Sequence, residues 1–317
     1  MKGALRLFYA ADIHGSERVF RKFLNAAPFY RASAVIFGGD ITGKAIVPLV
    51  EFEPGRFQAH VSSGVQVVDD GEPLTTLESH IRDQGSYPYR TTPDELAALN
   101  ASPALLKDVF TKVMRATAER WVALADERLR AAGIPALMMP GNDDEPMVKD
   151  LLAQGDWITD AEDRVVDLGG YQVISFGCST TTPWHSPREV TESEMGAHLD
   201  GLTAKLDAAR PVIFNFHDPP RDSGLDLAYK MTPDMRVEMA GGQPLLAAVG
   251  SASVRAAIAR VQPVLSLHGH IHESRGVAKL GRTLAINPGS AYSDGTLQGV
   301  VVSLEGEKVV GQQFVTG

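Results

Sequence analysis

The sequence predicts an α/β layered fold, and three observations carry that expectation. Eight short aliphatic or β-branched runs recur along the chain: LRLFYAAD, SAVIFGGD, ALMMPGND, YQVISFGC, PVIFNFHD, PVLSLHGH, RTLAINPGS and QGVVVSL. They alternate with helical patterns, as expected where buried strands are covered by helices. Most of these runs end, on their C-terminal side, in a polar cluster holding Asp, Asn or His. That edge is where open α/β sheets bind ligands. The composition, 44 % apolar and 22 % charged over 317 residues, is that of a soluble chain with a sizeable core.

Taken in order, the start MKGALRLFYAADIHG reads as a first strand, because its apolar run is short, is broken by Arg6 and meets Asp12 and His14 at once. Helical patterns cover Ser16 to Ala26, Glu194 to Ala209 and Ser251 to Val261. Asn142 follows Asp40 by 102 positions, whereas a crossover through one helix needs about 30 residues. The excess begins with AIVPLVEFEPGRFQAHVSSGVQVV, a hairpin or small meander with PG and SSG as turns. After ESHIRDQG and SYPYRTTP comes a long helical stretch from Thr92 to Ala132, interrupted near Ser102-Pro103, with Thr92-Pro93-Asp94-Glu95 as its start signal. The expectation is one domain over 1–317, with Lys44 to about Asn100 inserted as a cap beside the ligand-binding edge.

Charge and cysteine use narrow the partners. Lys and Arg number 30 against 39 Asp and Glu, a net charge of −9, which disfavours a surface built to hold nucleic-acid phosphates or an anionic membrane. No stretch reaches the ~20 apolar residues of a membrane span. Cys178 is the one cysteine, so no intrachain disulfide or thiolate cluster forms, the expected compartment is the cytoplasm, and any metal must take N and O ligands.

Five segments hold the chemistry: Asp12-Ile13-His14, Gly39-Asp40, Gly141-Asn142-Asp143-Asp144, His217 within NFHDPP, and Gly269-His270-Ile271-His272. Singly each is weak, since an Asp or His at a strand end is commonly a cap or turn former. Together, in strand context, Asp12, His14, Asp40, Asn142, His217, His270 and His272 make seven N and O ligands, which suits two divalent cations sharing a carboxylate.

In these motifs the chain resembles the calcineurin-like metallophosphoesterases, whose pattern is DxH, GD, GN(H/D/C), H and GHxH in that order. The resemblance runs from Asp12 to about Ser290, including the Asn287-Pro288-Gly289-Ser290 turn, and leaves the segment from Lys44 to about Asn100 outside. It implies an α/β/β/α sandwich with two central mixed sheets. By motif, Asp12, His14, Asp40 and His272 would bind one metal and Asp40, Asn142, His217 and His270 the other, with Asp40 bridging. The metals could be Mn, Fe, Zn, Co or Ni, and a hydroxide between them would be the nucleophile on a phosphoester. Asn142 and Asp143 then stand where the family works on the phosphoryl group and its leaving group.

Asp143 occupies the position at which many members carry a His that protonates the leaving group. Asp143 acts either as an acid or as a partner that only hydrogen-bonds the loop, and the departure tilts the expectation towards a small phosphodiester or nucleotide. Trp184, His185 and Arg188 in TTTPWHSPRE and Arg221 in HDPPRDSG could stack on a base and grip phosphate; in the other reading Trp184 packs the core and the arginines make surface ion pairs. His268 is expected to be buried, His60, His80 and His198 to lie on surface elements, and Cys178 to be a small buried hydrophobe. A phosphomonoesterase or protein phosphatase, a nuclease and a non-catalytic scaffold of the same fold stand as alternatives, and an oligomer is possible.

Overall fold

The computed structural model describes residues 4–232 and 234–317; Met1, Lys2 and Gly3, the head of the start segment, and Pro233 lie outside the described residues. All eight predicted runs contain strands. They build two six-stranded mixed sheets. The first has the order Lys308–Thr316, Gln298–Glu305, Leu5–Ala10, Ala34–Phe37, Ala136–Met138, Ile158–Asp160, with the last four parallel. The second runs Gly276–Leu280, Thr283–Asn287, Leu265–Leu267, Val212–Phe216, Tyr171–Phe176, Val165–Leu168, parallel in its middle four strands.

Strand alternation sorts the side chains into three apolar layers. Leu7, Tyr9 and Ile36 of the first sheet meet Val173, Ile213, Leu265 and Ile286 of the second between the sheets. Their neighbours Phe8, Val35 and Phe37 point outward under the helices Glu17–Phe29 and Pro103–Ala132, where Phe20, Phe23 and Trp121 pack. On the far side, Ile174, Phe176, Phe214 and Phe216 lie under Glu192–Thr203 and Ala252–Val261. The layers are therefore α/β/β/α, as expected.

Local signals set the helix ends. Ser16, Thr92, Ser102, Thr191 and Ser251 each cap a helix with a side-chain oxygen. Thr191 and Glu194 form a full capping box, which starts that helix at Glu192, two residues before the predicted Glu194. It ends at Thr203, where the Thr203 hydroxyl bonds back to the Leu199 carbonyl. The long helical stretch is two helices, Pro93–Ala101 and Pro103–Ala132, broken at Ser102. Pro103 has no N–H to continue the first one.

Residues 46–91 form a four-stranded sheet in the order Gly64–Asp69, Arg56–Val61, Ile46–Glu53, Tyr87–Thr91. With the helix Glu72–Asp83 it buries a small core of its own: Leu49, Phe57, Ala59, Leu74, Leu77 and Ile81. Beyond His217, short strands Leu227–Tyr229 and Leu246–Ala248 pair in an arm that exposes Leu227, Tyr229, Met239 and Leu246. No helix among the described residues is long and apolar enough to cross a membrane.

Candidate metal centre

The five motifs converge because each lies just past the C-terminal end of a parallel strand. Leu5–Ala10 and Ala34–Phe37 are neighbours, and their loops run on side by side. Asp12 N–H donates to the Gly39 carbonyl at 2.9 Å, His14 N–H to Asp40 at 2.9 Å and Gly15 N–H to Ile41 at 2.8 Å. The second sheet brings His217, His270 and His272 from the ends of Val212–Phe216 and Leu265–Leu267. Asp12, His14, Asp40 and His270 all hold positive φ, 58°, 44°, 58° and 65°. Non-glycine residues keep that conformation only where their surroundings enforce it, and such strain clusters at functional sites.

Two glycines in the motifs make room for carboxylates. A Cβ on Gly141 would lie 2.1 Å from Asp40 Oδ1, and one on Gly269 would lie 2.4 Å from Asp12 Oδ2. The G of GND and the G of GHIH are thus required by the carboxylates packed against them.

The side chains meet in a buried cluster. His14 Nε2 and His217 Nε2 face Asp40 Oδ2 at 3.5 and 3.4 Å. His272 Nε2 and His217 Nε2 stand 3.4 and 3.8 Å from Asp12 Oδ1. Three overlapping groups could each hold an ion: Asp12, His14 and His272; Asp12, Asp40 and His217; and His14, Asp40 and Asp143. The ring of His270 lies 5.4 Å from that of His217 but belongs to none of the three, while its backbone N–H donates to Asp12 at 3.0 Å. Asn142 is buried beside them and bonds Asp143 through Nδ2 at 3.2 Å.

This donor set fits divalent cations. The Asn142 Oδ1 and His217 Nε2 atoms are buried with no hydrogen-bond partner, and the His14 and His272 Nε2 atoms face each other at 3.0 Å, so two ring nitrogens and an amide oxygen that lack a full set of protein partners lie where a cation would satisfy them. His217 Nδ1 lies 2.7 Å from the Gly38 carbonyl; donating there leaves Nε2 free to point inward. Burial opposes charge on Asp40, yet His217 and His14 hold its carboxyl well below the usual range. Burial pushes the His14 imidazole down to about 3, helped by Lys44 and His272 against the pull of Asp40. Buried carboxylates beside imidazoles of this kind call for positive charge.

Flanking groups lock the loops. Asp144 is fully buried and accepts from the N–H groups of Ile41, Thr42 and Gly141 and from the Thr42 hydroxyl, tying the second motif loop to the third. Asn287 donates to the carbonyls of Gly269 and Ile271, and the Ser290 hydroxyl donates to the Asp12 carbonyl at 2.7 Å. The Asn-Pro-Gly-Ser turn therefore braces the GHIH and DIH loops.

Other predicted residues divide. Asp143 is hydrogen-bonded by the Ser186 hydroxyl at 2.5 Å and ion-paired with Lys44. Trp184 is 62 % exposed, which excludes its packing in the core. Arg188 is largely covered and bonded to Glu162 and, at 2.9 Å, to the Gly141 carbonyl, so it supports the Asn142 loop and is no surface pair. Arg221, His60 and His80 are exposed. His198 is half-buried, with Nε2 2.6 Å from Asp163, a partner the sequence does not reveal. His268 is buried, as expected, between Ser266 and the Phe216 carbonyl. Cys178 is half-buried among apolar residues.

Sequence reasoning passes over Lys44, Ser186 and Tyr292. The Tyr292 ring packs 4.7 Å from that of His14 and 5.8 Å from that of His272. Lys44, four residues past Asp40 and directly after Gly43, carried the one available signal: a cation beside a motif of carboxylates.

No family model matches the chain. An uncharacterised protein of Methanocaldococcus jannaschii, MJ1162, is 28 % identical over 154 residues, which are 48 % of this chain and 62 % of that relative. The chain thus spans less than two thirds of the length of the curated relative it matches. The protein TT1561 of Thermus thermophilus superposes with a TM-score of 0.53 at 15 % identity, covering 99 % of both chains. A second crystal structure does so with a TM-score of 0.55 at 13 % identity, again over 99 % of both. These likenesses show the fold. An archaeal phosphodiesterase, covered over its full length, reaches a TM-score of only 0.37 at 10 % identity. The α/β/β/α fold and the motif residues agree with the calcineurin-like metallophosphoesterase superfamily.

Proposed function

We propose that the chain is a calcineurin-like phosphoesterase that hydrolyses a small phosphodiester or a nucleotide with two divalent cations. The observation that supports this reading best is the sharing of two buried carboxylates, since Asp12 and Asp40 each face imidazoles from both sheets within 4.0 Å. Asp12, His14, Asp40 and His272 would hold one cation, and Asp40, Asn142, His217 and His270 the other. Bound there, the cations would acidify the attacking water and neutralise the phosphoryl oxygens.

The chain's own groups do the rest. His217, oriented through Gly38, keeps its free nitrogen on the centre. The half-exposed Lys44 ammonium grips a non-bridging phosphoryl oxygen as a point charge. Asp143 accepts hydrogen bonds from Ser186 and Asn142, so it orients Lys44 rather than protonating a leaving group. Trp184, two residues from Ser186 and exposed, offers a face to a base or aryl group. Residues 44–100 serve as a cap within one domain, and the protein works in a reducing cytoplasm.

Metal-free protein titrated with Mn²⁺ and assayed on bis(4-nitrophenyl) phosphate, 4-nitrophenyl phosphate, cyclic nucleotides, pyrophosphate and an alkyl monoester tests this. The expected outcome is Mn²⁺-dependent turnover, with diester or nucleotide ahead of the alkyl monoester. A chain that takes up no metal and turns over no ester would favour the scaffold reading instead, and a preference for the alkyl monoester would favour a phosphomonoesterase.

A further inference from the structure

Three glycine backbones from separate segments meet beside the metal loop. Gly15 follows His14, Gly43 immediately precedes the inserted segment, and Gly85 lies in the turn between that segment's helix Glu72–Asp83 and its strand Tyr87–Thr91. Their separation leaves no room for side chains. A Cβ on Gly85 would sit 2.3 Å from the His14 carbonyl oxygen and 3.2 Å from the Tyr292 ring. One on Gly43 would sit 2.3 Å from the Gly85 oxygen, and one on Gly15 would sit 2.6 Å from Gly43 Cα.

From these contacts we infer that the inserted segment is part of the metal centre's frame, and that Gly85 is a positioning residue for the His14 side of that centre. The inference rests on reading Asp12, His14 and His272 as metal ligands. His14 is held at φ 44°, a sparsely populated conformation that persists where the surrounding structure over-determines it, and here both flanks of its loop are occupied. One flank is the Asp40–Ile41 backbone, hydrogen-bonded to it at 2.9 and 2.8 Å. The other is the Gly85 turn.

The surrounding bonds close the same contact. The Ser16 hydroxyl donates to the Asp83 carbonyl at 2.6 Å, Arg18 pairs with Asp83 at 2.6 Å, and Gly43 N–H donates to the Tyr87 hydroxyl at 2.7 Å. Tyr292 completes the wall, lying between Gly85 and the rings of His14 and His272. His217 is served by none of these contacts, because its orientation comes from the Gly38 carbonyl. A bulkier residue at 85 therefore displaces one half of the centre and spares the other.

The test is Mn²⁺ binding to the full chain by calorimetric titration, with metal counted by elemental analysis and folding checked by circular dichroism of the metal-free protein. Gly85→Ala should weaken one of two Mn²⁺ sites by about tenfold or more, the scale on which lost support of a metal ligand acts, and leave the other in place. Gly71→Ala is the control. Gly71 also has a positive φ, 95°, and lies in the same segment, but a Cβ there meets nothing within 4 Å, so it should bind both ions as wild type does. Should Gly85→Ala fail to fold, Tyr87→Phe loosens the same contact by one hydrogen bond and should weaken the same site by a few-fold. Wild-type affinity at both sites in the variants, or equal weakening in Gly71→Ala, would overturn the inference. A wild-type chain that takes up no Mn²⁺ would instead defeat the reading of the ligands.

Discussion

His217 and His14 face the same oxygen of Asp40 at nearly the same distance, 3.4 and 3.5 Å, yet their surroundings push their pKa values in opposite directions. Burial lowers both imidazoles. For His217, Asp40 and Asp12 outweigh it and raise the group to about 10; for His14, Lys44 and His272 add to burial, and it falls to about 3. The deep half of the centre is thus set by carboxylates and one carbonyl. The rim half carries an extra cation and leans on the inserted segment.

The largest effect should come from erasing what the halves share. Asp40→Ala removes the carboxylate that faces both, so both metals and more than about 100-fold of the activity should go together, since even outer partners of a metal cost 10- to 100-fold. Elemental analysis finding two metals per variant chain would break the assignment. Lys44→Met should divide the halves, leaving metal content unchanged while raising KM for an anionic ester by roughly tenfold, the worth of one charged hydrogen bond. An equal fall in kcat with KM unmoved would mean that Lys44 does not grip the substrate.

The rim is also propped from behind. Glu17, at the start of the helix after the His14 loop, accepts from Arg120 at 2.9 and 2.8 Å, from Trp121 at 2.8 Å and from Arg21 at 2.9 Å. Burial opposes its charge, but Arg120 and Trp121 outweigh burial and bring the carboxyl down to about 2 from 4.5. A lowered native pKa stabilises the fold above the unfolded value and loses that stability as pH falls through the native one. Glu17→Gln should therefore cost about 2 kcal/mol at neutral pH, and denaturant melts should show the gap from wild type closing between pH 4.5 and 2. A gap that stays constant across that window would remove the ion pair from the account.

The smallest effect belongs to Cys178, on the far side of the Arg188 brace. Burial pushes its thiol up to about 11, so alkylation at pH 8 should be slow in the folded protein and fast after denaturation. Fast modification of native protein would show that the loop bearing Arg188 opens.

Much of the fold was legible because its signals are local. Continuous apolar runs marked the inner strands, and Ser, Thr and Pro marked helix starts within two residues. The edge strands Ile158–Asp160, Val165–Leu168, Gly276–Leu280 and Lys308–Thr316 were not read, since the first three have only three to five residues and the last is mostly exposed, which leaves little apolar periodicity. The arm from Leu227 to Ala248 escaped for the same reason, with strands of two or three residues. Trp184 shows the limit for single side chains: an aromatic residue in a Pro-flanked loop is as compatible with core as with rim, and only the surrounding surface decides.

The sequence by itself determined the inner strands with the helices that alternate with them, the five motif loops and the residue types that can hold a cation, because each of these depends on neighbours along the chain. Only the tertiary structure decided that Asp143 faces Lys44 and Ser186, that Asp144 one residue later is sealed among backbone N–H groups, and that Gly85 rests on the His14 carbonyl. Ser186 is 43 residues from Asp143 and Ile41 is 103 from Asp144. Which of such distant partners meet depends on how two sheets and an inserted segment pack, a property that no local pattern encodes.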